Sequence, residues 1–378
     1  MSPPATVHDT KPVETVPDLA TPSAPGETPP TRVGSPQQLP FVSILMPVRN
    51  EAGFIRDLVE CVLEQDYPPD RFEIIVADGM STDDTREILA GLQVGHERLV
   101  VIDNPGRIVS TGLNAALAVC RGEVVIRIDG HSQVARNFIR ENVALLAEHP
   151  EAWSVGGPIR HSARTPFGKA VAIAMSHPVG VGNAHHRYPY YEGYSEGAQF
   201  PAIRRWVFDR IGMFDIRLVR NQDDEFNYRI ARAGGTVYVS PRVRYSYFVR
   251  ERASQLFRQY FQFGFWRIPV IQKHRRPTTA RQMAPALFYL ACVLFAVLAA
   301  WLKLPLLAGV FPLVYAIALL GVGAGAIRGH GIRVAARVPL AIATMHAAYG
   351  FGLAYGLWAR VFRPDAWNAE SQMAALSR

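Results

Sequence analysis

Asp129 and His131 are the side chains whose types and spacing most directly indicate chemistry in this sequence. They flank Gly130 at the end of an apolar run, residues 123–128, that is typical of a buried strand. A carboxylate at the end of such a strand is costly to bury unless it faces a ligand, a cation or a hydrogen-bond donor. The pair could offer one oxygen and one imidazole nitrogen to a divalent metal ion. The alternative left open by this motif alone is an aspartate that caps the next helix beside a surface histidine.

Apolar runs typical of strands alternate with segments of helical spacing between residues 41 and 128. The strands are expected at residues 41–47, 72–77, 99–102 and 124–128. The helices between them are expected at residues 55–63, 86–92 and 108–119. Strands and helices that alternate in this way predict an α/β fold with a mostly parallel central sheet and flanking helices.

Polar side chains follow three of these strands directly. Asn50 and Glu51 come after the first strand, Asp78 after the second, and Asp129 with His131 after the fourth. The carboxyl ends of parallel strands lie at one edge of a sheet, where open α/β sheets bind their ligands. We therefore expect these side chains to converge on a single site.

The sequence between residues 150 and 250 is less regular. A strand is expected at residues 153–159 and helices at residues 206–214 and 224–233. Between them, residues 176–200 form a long loop rich in Gly, Tyr and His. A loop of this length within a compact domain is usually functional or mobile, so its histidines could shape a ligand pocket, although loop histidines are more often simply exposed.

Three consecutive carboxylates, Asp223, Asp224 and Glu225, lie at the expected start of the last of these helices. Acidic residues favour the first turn of a helix, and a run followed by Arg229 and Arg232 is also typical of a solvated face. A carboxylate that faces the site at the sheet edge could instead act as a general base. The metal-type motif upstream favours this second interpretation.

The charge of the chain divides it into two parts. Residues 1–251 hold 26 Lys and Arg against 30 Asp and Glu, whereas residues 252–364 hold 13 Lys and Arg and no acidic residue. The overall charge of +8 is therefore not a property of the α/β part, which argues against nucleic acid as a partner. The acid-free part contains three uncharged stretches long enough to span a membrane, at about residues 284–302, 304–327 and 338–359.

The basic residues that flank these stretches predict, by the positive-inside rule, a multi-pass protein of the cell membrane with its α/β domain in the cytoplasm. A re-entrant first or second stretch is the alternative. We expect a disordered tail over residues 1–40, the α/β domain over residues 41–251, an amphipathic basic interface segment over residues 252–283, a membrane domain over residues 284–363 and a short tail over residues 364–378.

In chain order, these elements resemble the family 2 glycosyltransferases of the GT-A fold, over about residues 41–265. The residues that carry the resemblance are Pro47-Val48-Arg49-Asn50-Glu51, the loop 77–85 with Asp78 at its start, Asn114, Asp129-Gly130-His131 and Gln222-Asp223-Asp224-Glu225-Phe226. His131 departs from the family's Asp-x-Asp signature, and Gln222 departs from its Glu-Asp motif. The Asp-Gly-His motif and the three apolar stretches look more like the membrane-anchored succinoglycan-type glucosyltransferases.

The resemblance implies an inverting, metal-dependent transfer of a sugar, such as glucose, from a UDP-sugar donor. The donor contacts that it implies are Pro47, Asn50, Glu51, Asp78, Asn114 and Asp129. It implies that Asp129 and His131 hold Mn²⁺ or Mg²⁺. It further implies that Asp223 is the catalytic base and that Asp224 or Glu225 orients the acceptor hydroxyl or binds the acceptor.

Residues 258–267 lie where processive members of the family carry Gln-x-x-Arg-Trp, and the pattern here, Gln259-x-x-Gln262-Phe263, is different. Three membrane stretches are also few for a channel that conducts a polymer. We therefore expect transfer of a single sugar to a lipid-linked saccharide acceptor in polysaccharide or glycolipid biosynthesis, with membrane lipid as a further partner. The alternatives are a processive polysaccharide synthase and a noncatalytic membrane scaffold that retains the fold.

Overall fold

The computed structural model describes residues 39–130, 132–277 and 279–363. The strands in these ranges are β1 (Val42–Val48), β2 (Phe72–Asp78), β3 (Leu99–Asp103), β4 (Val124–Arg127), β5 (Ser132–Val134), β6 (Ala152–Gly157), β7 (His161–Ser162), β8 (Gly193–Ser195), β9 (Gln199–Arg204), β10 (Thr236–Val239) and β11 (Tyr245–Phe248). The helices are α1 (Ile55–Leu63), α2 (Thr85–Gln93), α3 (Val109–Val119), α4 (Phe138–Glu148), α5 (Pro166–Ala174), α6 (Pro178–Val181), α7 (Arg205–Ile211), α8 (Gln222–Arg232), α9 (Ala253–Phe265), α10 (Arg267–His274), α11 (Ala284–Trp301), α12 (Leu306–His330), α13 (Ile332–Ala335) and α14 (Val338–Phe362).

The main sheet has eight strands in the order β3-β2-β1-β4-β9-β6-β10-β8. The strands β1 to β4 are parallel to one another, and β6 is parallel to β10. The strands β8 and β9 are antiparallel to the strands beside them. Apolar side chains of α1 and α4 cover one face of the sheet, and those of α3, α7 and α8 cover the other. The predicted α/β fold with a mostly parallel sheet is confirmed.

The second half of the α/β domain holds more regular structure than its sequence pattern predicts. Residues 176–200 are not one loop, because they contain α6, β8 and the first residues of β9. A second sheet of order β5-β11-β7 was not predicted either. Strands of two to four residues are too short to show a periodicity. α7 ends at Ile211, earlier than expected, because Gly212 takes a φ of +81°.

Three helices, α11, α12 and α14, are long and apolar enough to cross a membrane. Only 6% of the α11 stretch and 11% of the α12 stretch is buried, against 44% of the stretch that contains α14. α14 is therefore the apolar helix that packs against the α/β domain. α11 and α12 direct large apolar side chains outward, as helices that contact lipid do.

The contact between α9 and α14 depends on glycines. A Cβ atom at Gly264 would overlap the carbonyl oxygen of Tyr349, and one at Gly352 would overlap the carbonyl oxygen of Phe261. Small residues allow two helix backbones to approach closely. α9 therefore lies tightly along α14, which links the α/β domain to the apolar helices.

Candidate active site

One cavity lies at the carboxyl edge of the main sheet, and a second lies beside it against the apolar helices. The sheet-edge cavity measures about 470 Å³, and Pro47, Asn50, Glu51, Asp129 and Asp223 are part of its lining. The span-side cavity measures about 480 Å³ and lies between residues 178–187 and the helices α11, α12 and α14. The residues that line both cavities are Arg187, Asn221, Asp223 and Phe263. The structure thus brings five of the predicted site residues together.

Asp129 lies directly after β4, where the parallel strand opens into the sheet-edge cavity. Its Oδ1 accepts hydrogen bonds from Nε and Nη2 of Arg127, at 3.0 and 2.7 Å. Nη1 of the same guanidinium lies 3.5 Å from Oδ2 of Asp223. Loss of water would lower the pKa of Arg127, but the two carboxylates outweigh it and raise the pKa above its ordinary value. The buried Arg127 cation therefore holds the carboxylate of Asp129 close to that of Asp223.

The first turn of α8 directs its three consecutive carboxylates to different surroundings. Asp223 faces both cavities, and 42% of its side chain is exposed. Asp224 lines only the span-side cavity and pairs with Arg267 of α10. Glu225 is fully buried and pairs with two cations, Arg229 and Lys273, and Nε2 of His274 lies 3.0 Å from its Oε1. Of the three, Asp223 alone lies where the cavities meet.

Asp224 is suited to a structural role rather than to proton transfer. Desolvation opposes its ionisation, but the Arg267 guanidinium outweighs that effect and holds the pKa of the Asp224 carboxyl below its ordinary value. A carboxylate with a lowered pKa is a weaker proton acceptor. Asn221, in the left-handed region with φ of +61°, adds a hydrogen bond of 2.9 Å from its Nδ2 to the carbonyl of Phe263. The start of α8 is thus held by α9 and α10.

The loops that follow β1 and β2 are bonded to each other at the sheet edge. Asn50 takes a φ of +54°, and its Oδ1 accepts a hydrogen bond of 2.8 Å from the backbone N–H of Thr82. The N–H of Asn50 donates to Oγ of Ser81 at 2.9 Å. The N–H of Glu51 donates to Oγ1 of Thr85 at 2.8 Å. These bonds keep Asn50 and Glu51 on the wall of the sheet-edge cavity.

Asp78 and Asn114 are not among the residues that line either cavity in the described part of the chain. Asp78 is fully buried, and its Oδ1 accepts a hydrogen bond of 2.5 Å from Oγ of Ser81. Nδ2 of Asn114 donates to the carbonyl of Phe214 at 2.8 Å, and its Oδ1 accepts from the N–H of Phe214 at 3.0 Å. Both side chains hold loops in place, and neither forms part of the cavity wall with the other predicted donor contacts.

Replacing Asn114 by alanine is expected to destabilise the fold without weakening donor binding. The change removes both hydrogen bonds to Phe214, whose ring stacks on Phe226 of α8 at 4.7 Å. Loss of these bonds should lower the free energy of unfolding by about 1–3 kcal/mol. Thermal melts of the Asn114→Ala and Asn114→Asp variants, together with KM for the donor, check this. A large rise in donor KM at an unchanged melting temperature would instead indicate a nucleotide contact.

A divalent metal ion fits this site only together with a phosphate ligand. His131, the second predicted metal ligand, lies outside the described residues. Within the described ranges, no group of three His, Cys, Asp or Glu side chains could hold a metal ion. Asp129 supplies one carboxylate, which suits Mg²⁺ or Mn²⁺ when substrate phosphates and water complete the coordination. The donor set is therefore that of a metal that binds with a diphosphate.

Sequence reasoning did not identify the arginines of the sheet-edge cavity as one group. They are Arg49, Arg107, Arg127, Arg187, Arg220, Arg250 and Arg258. Arg127 could have been found from the sequence, because a charge within an apolar strand requires a partner. The other six come from separate loops and helices, so no spacing in the sequence joins them. Seven guanidinium groups against the three lining carboxylates suit the cavity to an anion such as a diphosphate.

Comparison with known proteins agrees with the resemblance seen in the sequence. Residues 43–210 match the family described as Glycosyl transferase family 2. The chain is 32% identical to the succinoglycan biosynthesis protein ExoA of Rhizobium meliloti (strain 1021), over 64% of this chain and 73% of that protein. It is 25% identical to the dolichyl N-acetyl-alpha-D-glucosaminyl phosphate 3-beta-D-2,3-diacetamido-2,3-dideoxy-beta-D-glucuronosyltransferase of Methanococcus voltae, over 59% of this chain and 72% of that protein.

A solved structure shares the fold. The mannosyltransferase PcManGT from Pyrobaculum calidifontis, in complex with GDP-Man and Mn²⁺, superimposes with a TM-score of 0.55 at 23% identity. The match covers 88% of this chain and 91% of that one. The fold, the cavity at its sheet edge and the relatives define a glycosyltransferase that uses a nucleotide sugar. The chain belongs to the family 2 glycosyltransferases.

Proposed function

We propose that this enzyme transfers a sugar, such as glucose, from a UDP-sugar in the sheet-edge cavity to a lipid-linked saccharide in the span-side cavity. The observation that carries the proposal is the position of Asp223, where the two cavities meet. Two relatives support such an acceptor, because one is named for succinoglycan biosynthesis and the other for transfer to a dolichyl-linked sugar phosphate. The apolar helices that form one wall of the span-side cavity support it further.

Asp223 is the base in the proposed reaction. The acceptor hydroxyl gives its proton to the Asp223 carboxylate while its oxygen attacks the anomeric carbon of the donor sugar. The bond from that carbon to the diphosphate oxygen breaks on the opposite face, so the configuration of the sugar inverts. Arg127, 3.5 Å from Asp223, orients the carboxylate. Asp224 contributes indirectly, because its pairing with Arg267 positions α8.

The donor is expected to lie along the sheet edge, against the wall formed by Pro47, Asn50 and Glu51. The arginines of the cavity stabilise the leaving diphosphate. When bound, Mn²⁺ or Mg²⁺ would be held by Asp129 and diphosphate oxygens and would neutralise charge on the leaving group. His131 is the proposed second ligand.

We further propose a multi-pass membrane protein whose catalytic domain, residues 41–251, lies in the cytoplasm. Two groups of basic residues flank the apolar helices. One group, Lys273, Arg275, Arg276 and Arg281, precedes α11, and the other consists of Arg328 in the last turn of α12 with Arg333 and Arg337 before α14. The positive-inside rule places both groups on the cytoplasmic side. The interface segment, residues 252–283, would then lie on the membrane surface and seat the span-side cavity at headgroup level.

Membranes that contain the enzyme, incubated with a panel of UDP- and GDP-sugars plus Mn²⁺ or Mg²⁺, test this proposal. Nucleotide release and lipid labelling are measured. We expect one UDP-sugar to add a single sugar to a lipid fraction. A ladder of products would indicate the processive synthase, and no nucleotide release from any donor would contradict the proposal.

A further inference from the structure

Arg187 occupies the junction between the two cavities. It ends the short 3-10 turn His185–Arg187 and lines both cavities, together with Asn221, Asp223 and Phe263. Any acceptor that presents its hydroxyl to Asp223 from the span-side cavity therefore passes beside this guanidinium.

Arg187 differs in its ion pairing from the other two arginines that line the span-side cavity in the described ranges. Arg267 pairs with Asp224, and Arg281 pairs with Glu196. Arg187 has no ion pair within the described ranges, and its buried Nη1 has no hydrogen-bond partner there. A buried guanidinium N–H without an acceptor is costly. An anion bound at the junction would satisfy it.

Neither of the two histidines near Arg187 carries a charge near pH 7. His186 lines the span-side cavity and His161 the sheet-edge cavity, and both are partly buried. Desolvation, reinforced by the charge of Arg187, lowers the pKa of each imidazole to about 3. Both are therefore neutral near pH 7, and Arg187 is the cation that an anionic ligand would meet.

The span-side cavity favours an anion carried by an apolar group. One of its walls is built by the apolar helices through Phe288, Tyr315 and Met345. The sheet-edge cavity has six arginines besides Arg187 for the donor diphosphate. The donor therefore does not require Arg187. Among the described residues that line the span-side cavity, Arg187 is the arginine without an ion pair that an anionic acceptor would meet.

We propose that Arg187 binds a phosphate ester on the acceptor, next to the attacking hydroxyl, and so selects lipid-borne acceptors that carry this charge. The inference rests on the proposed function, since it assumes that the acceptor enters through the span-side cavity. Phe263 and Asn221 form the neighbouring wall of the junction.

Inhibition and binding by farnesyl phosphate, with farnesol and inorganic phosphate as comparisons, test the role of Arg187. The enzymes are the full-length wild type, Arg187→Gln, Arg187→Lys and Arg56→Gln, whose exposed arginine lies away from both cavities. We expect farnesyl phosphate to inhibit transfer more strongly than either comparison. Arg187→Gln should weaken its inhibition and its thermal stabilisation of the purified protein by about 10- to 100-fold, with donor KM nearly unchanged. Arg187→Lys should retain part of the effect, and Arg56→Gln all of it.

Three results would overturn the inference. They are equal inhibition of wild type and Arg187→Gln by farnesyl phosphate, an effect of Arg187→Gln on donor KM alone, and inhibition by inorganic phosphate as strong as that by farnesyl phosphate. Failure of the proposed function gives a different pattern, because the wild type then releases no nucleotide from any sugar donor. The thermal measurement tests Arg187 even in that case.

Discussion

Replacing Asp223 by asparagine is expected to reduce sugar transfer by about 10²–10⁴-fold, the usual contribution of a positioned general base. Asparagine has nearly the same shape and still accepts a hydrogen bond from Arg127, but it cannot take the proton of the acceptor hydroxyl. Donor binding should change little, since the arginines and Asp129 of the sheet-edge cavity remain. Transfer to lipid and binding of UDP, measured on the same preparation, check both parts.

Two matched variants make the Asp223 prediction specific. Asp209→Asn makes the same chemical change at an exposed position outside both cavities and should leave transfer unchanged. Asp224→Asn removes the pairing with Arg267 and should reduce transfer less than Asp223→Asn, with a lower melting temperature. A larger loss of transfer in Asp224→Asn at an unchanged melting temperature would make Asp224 the base.

Loss of the metal is expected to have the second large effect. Both removal of divalent ions by EDTA and the Asp129→Asn variant should lower transfer on the order of 10²-fold or more, since metal stabilisation of a leaving group supplies several kcal/mol. Asparagine keeps an acceptor for Arg127 but offers no carboxylate to the ion. Titration of UDP into the protein with and without Mn²⁺ gives a second readout, in which only the wild type should gain affinity from Mn²⁺.

The metal prediction has a control and a clear contrary result. Asp70→Asn, at an exposed position outside the cavities, should keep both the transfer rate and the effect of Mn²⁺ on UDP affinity. Transfer that proceeds equally well in EDTA, or an Asp129→Asn enzyme with unchanged turnover, would exclude a metal-dependent reaction. Supplying Mn²⁺ after EDTA should restore transfer by the wild type and by Asp70→Asn, but not by Asp129→Asn.

The first four strands could be predicted because each is a short apolar run followed by a polar loop and an amphipathic helix. β9 could not be predicted, although it lies at the centre of the sheet between β4 and β6. It is antiparallel to both neighbours and comes from a stretch rich in Gly and Tyr, so its place depends on pairing with distant strands. The strands β5, β7 and β11 show no periodicity because they are only two to four residues long.

Some candidate site residues could likewise be placed from the sequence, and others could not. Asn50, Glu51 and Asp129 follow strands of the parallel sheet, and that topology alone directs them to one edge. Asp78 is the last residue of β2, but the structure turns its carboxylate inward to Ser81. Asn114 has no topological reason to reach the sheet edge, and its amide is bonded to Phe214 instead.

By itself, the sequence determined the α/β fold, the three apolar helices and the order of carboxylates at the strand ends, since these follow from local periodicity and parallel topology. Only the tertiary structure decided which carboxylate of α8 faces the junction of the two cavities. Successive side chains on a helix point about 100° apart, so the choice depends on how the helix is rotated. Arg267 and Lys273, more than forty positions along the chain, set that rotation by pairing with Asp224 and Glu225. The same long-range packing gathers seven arginines around one cavity.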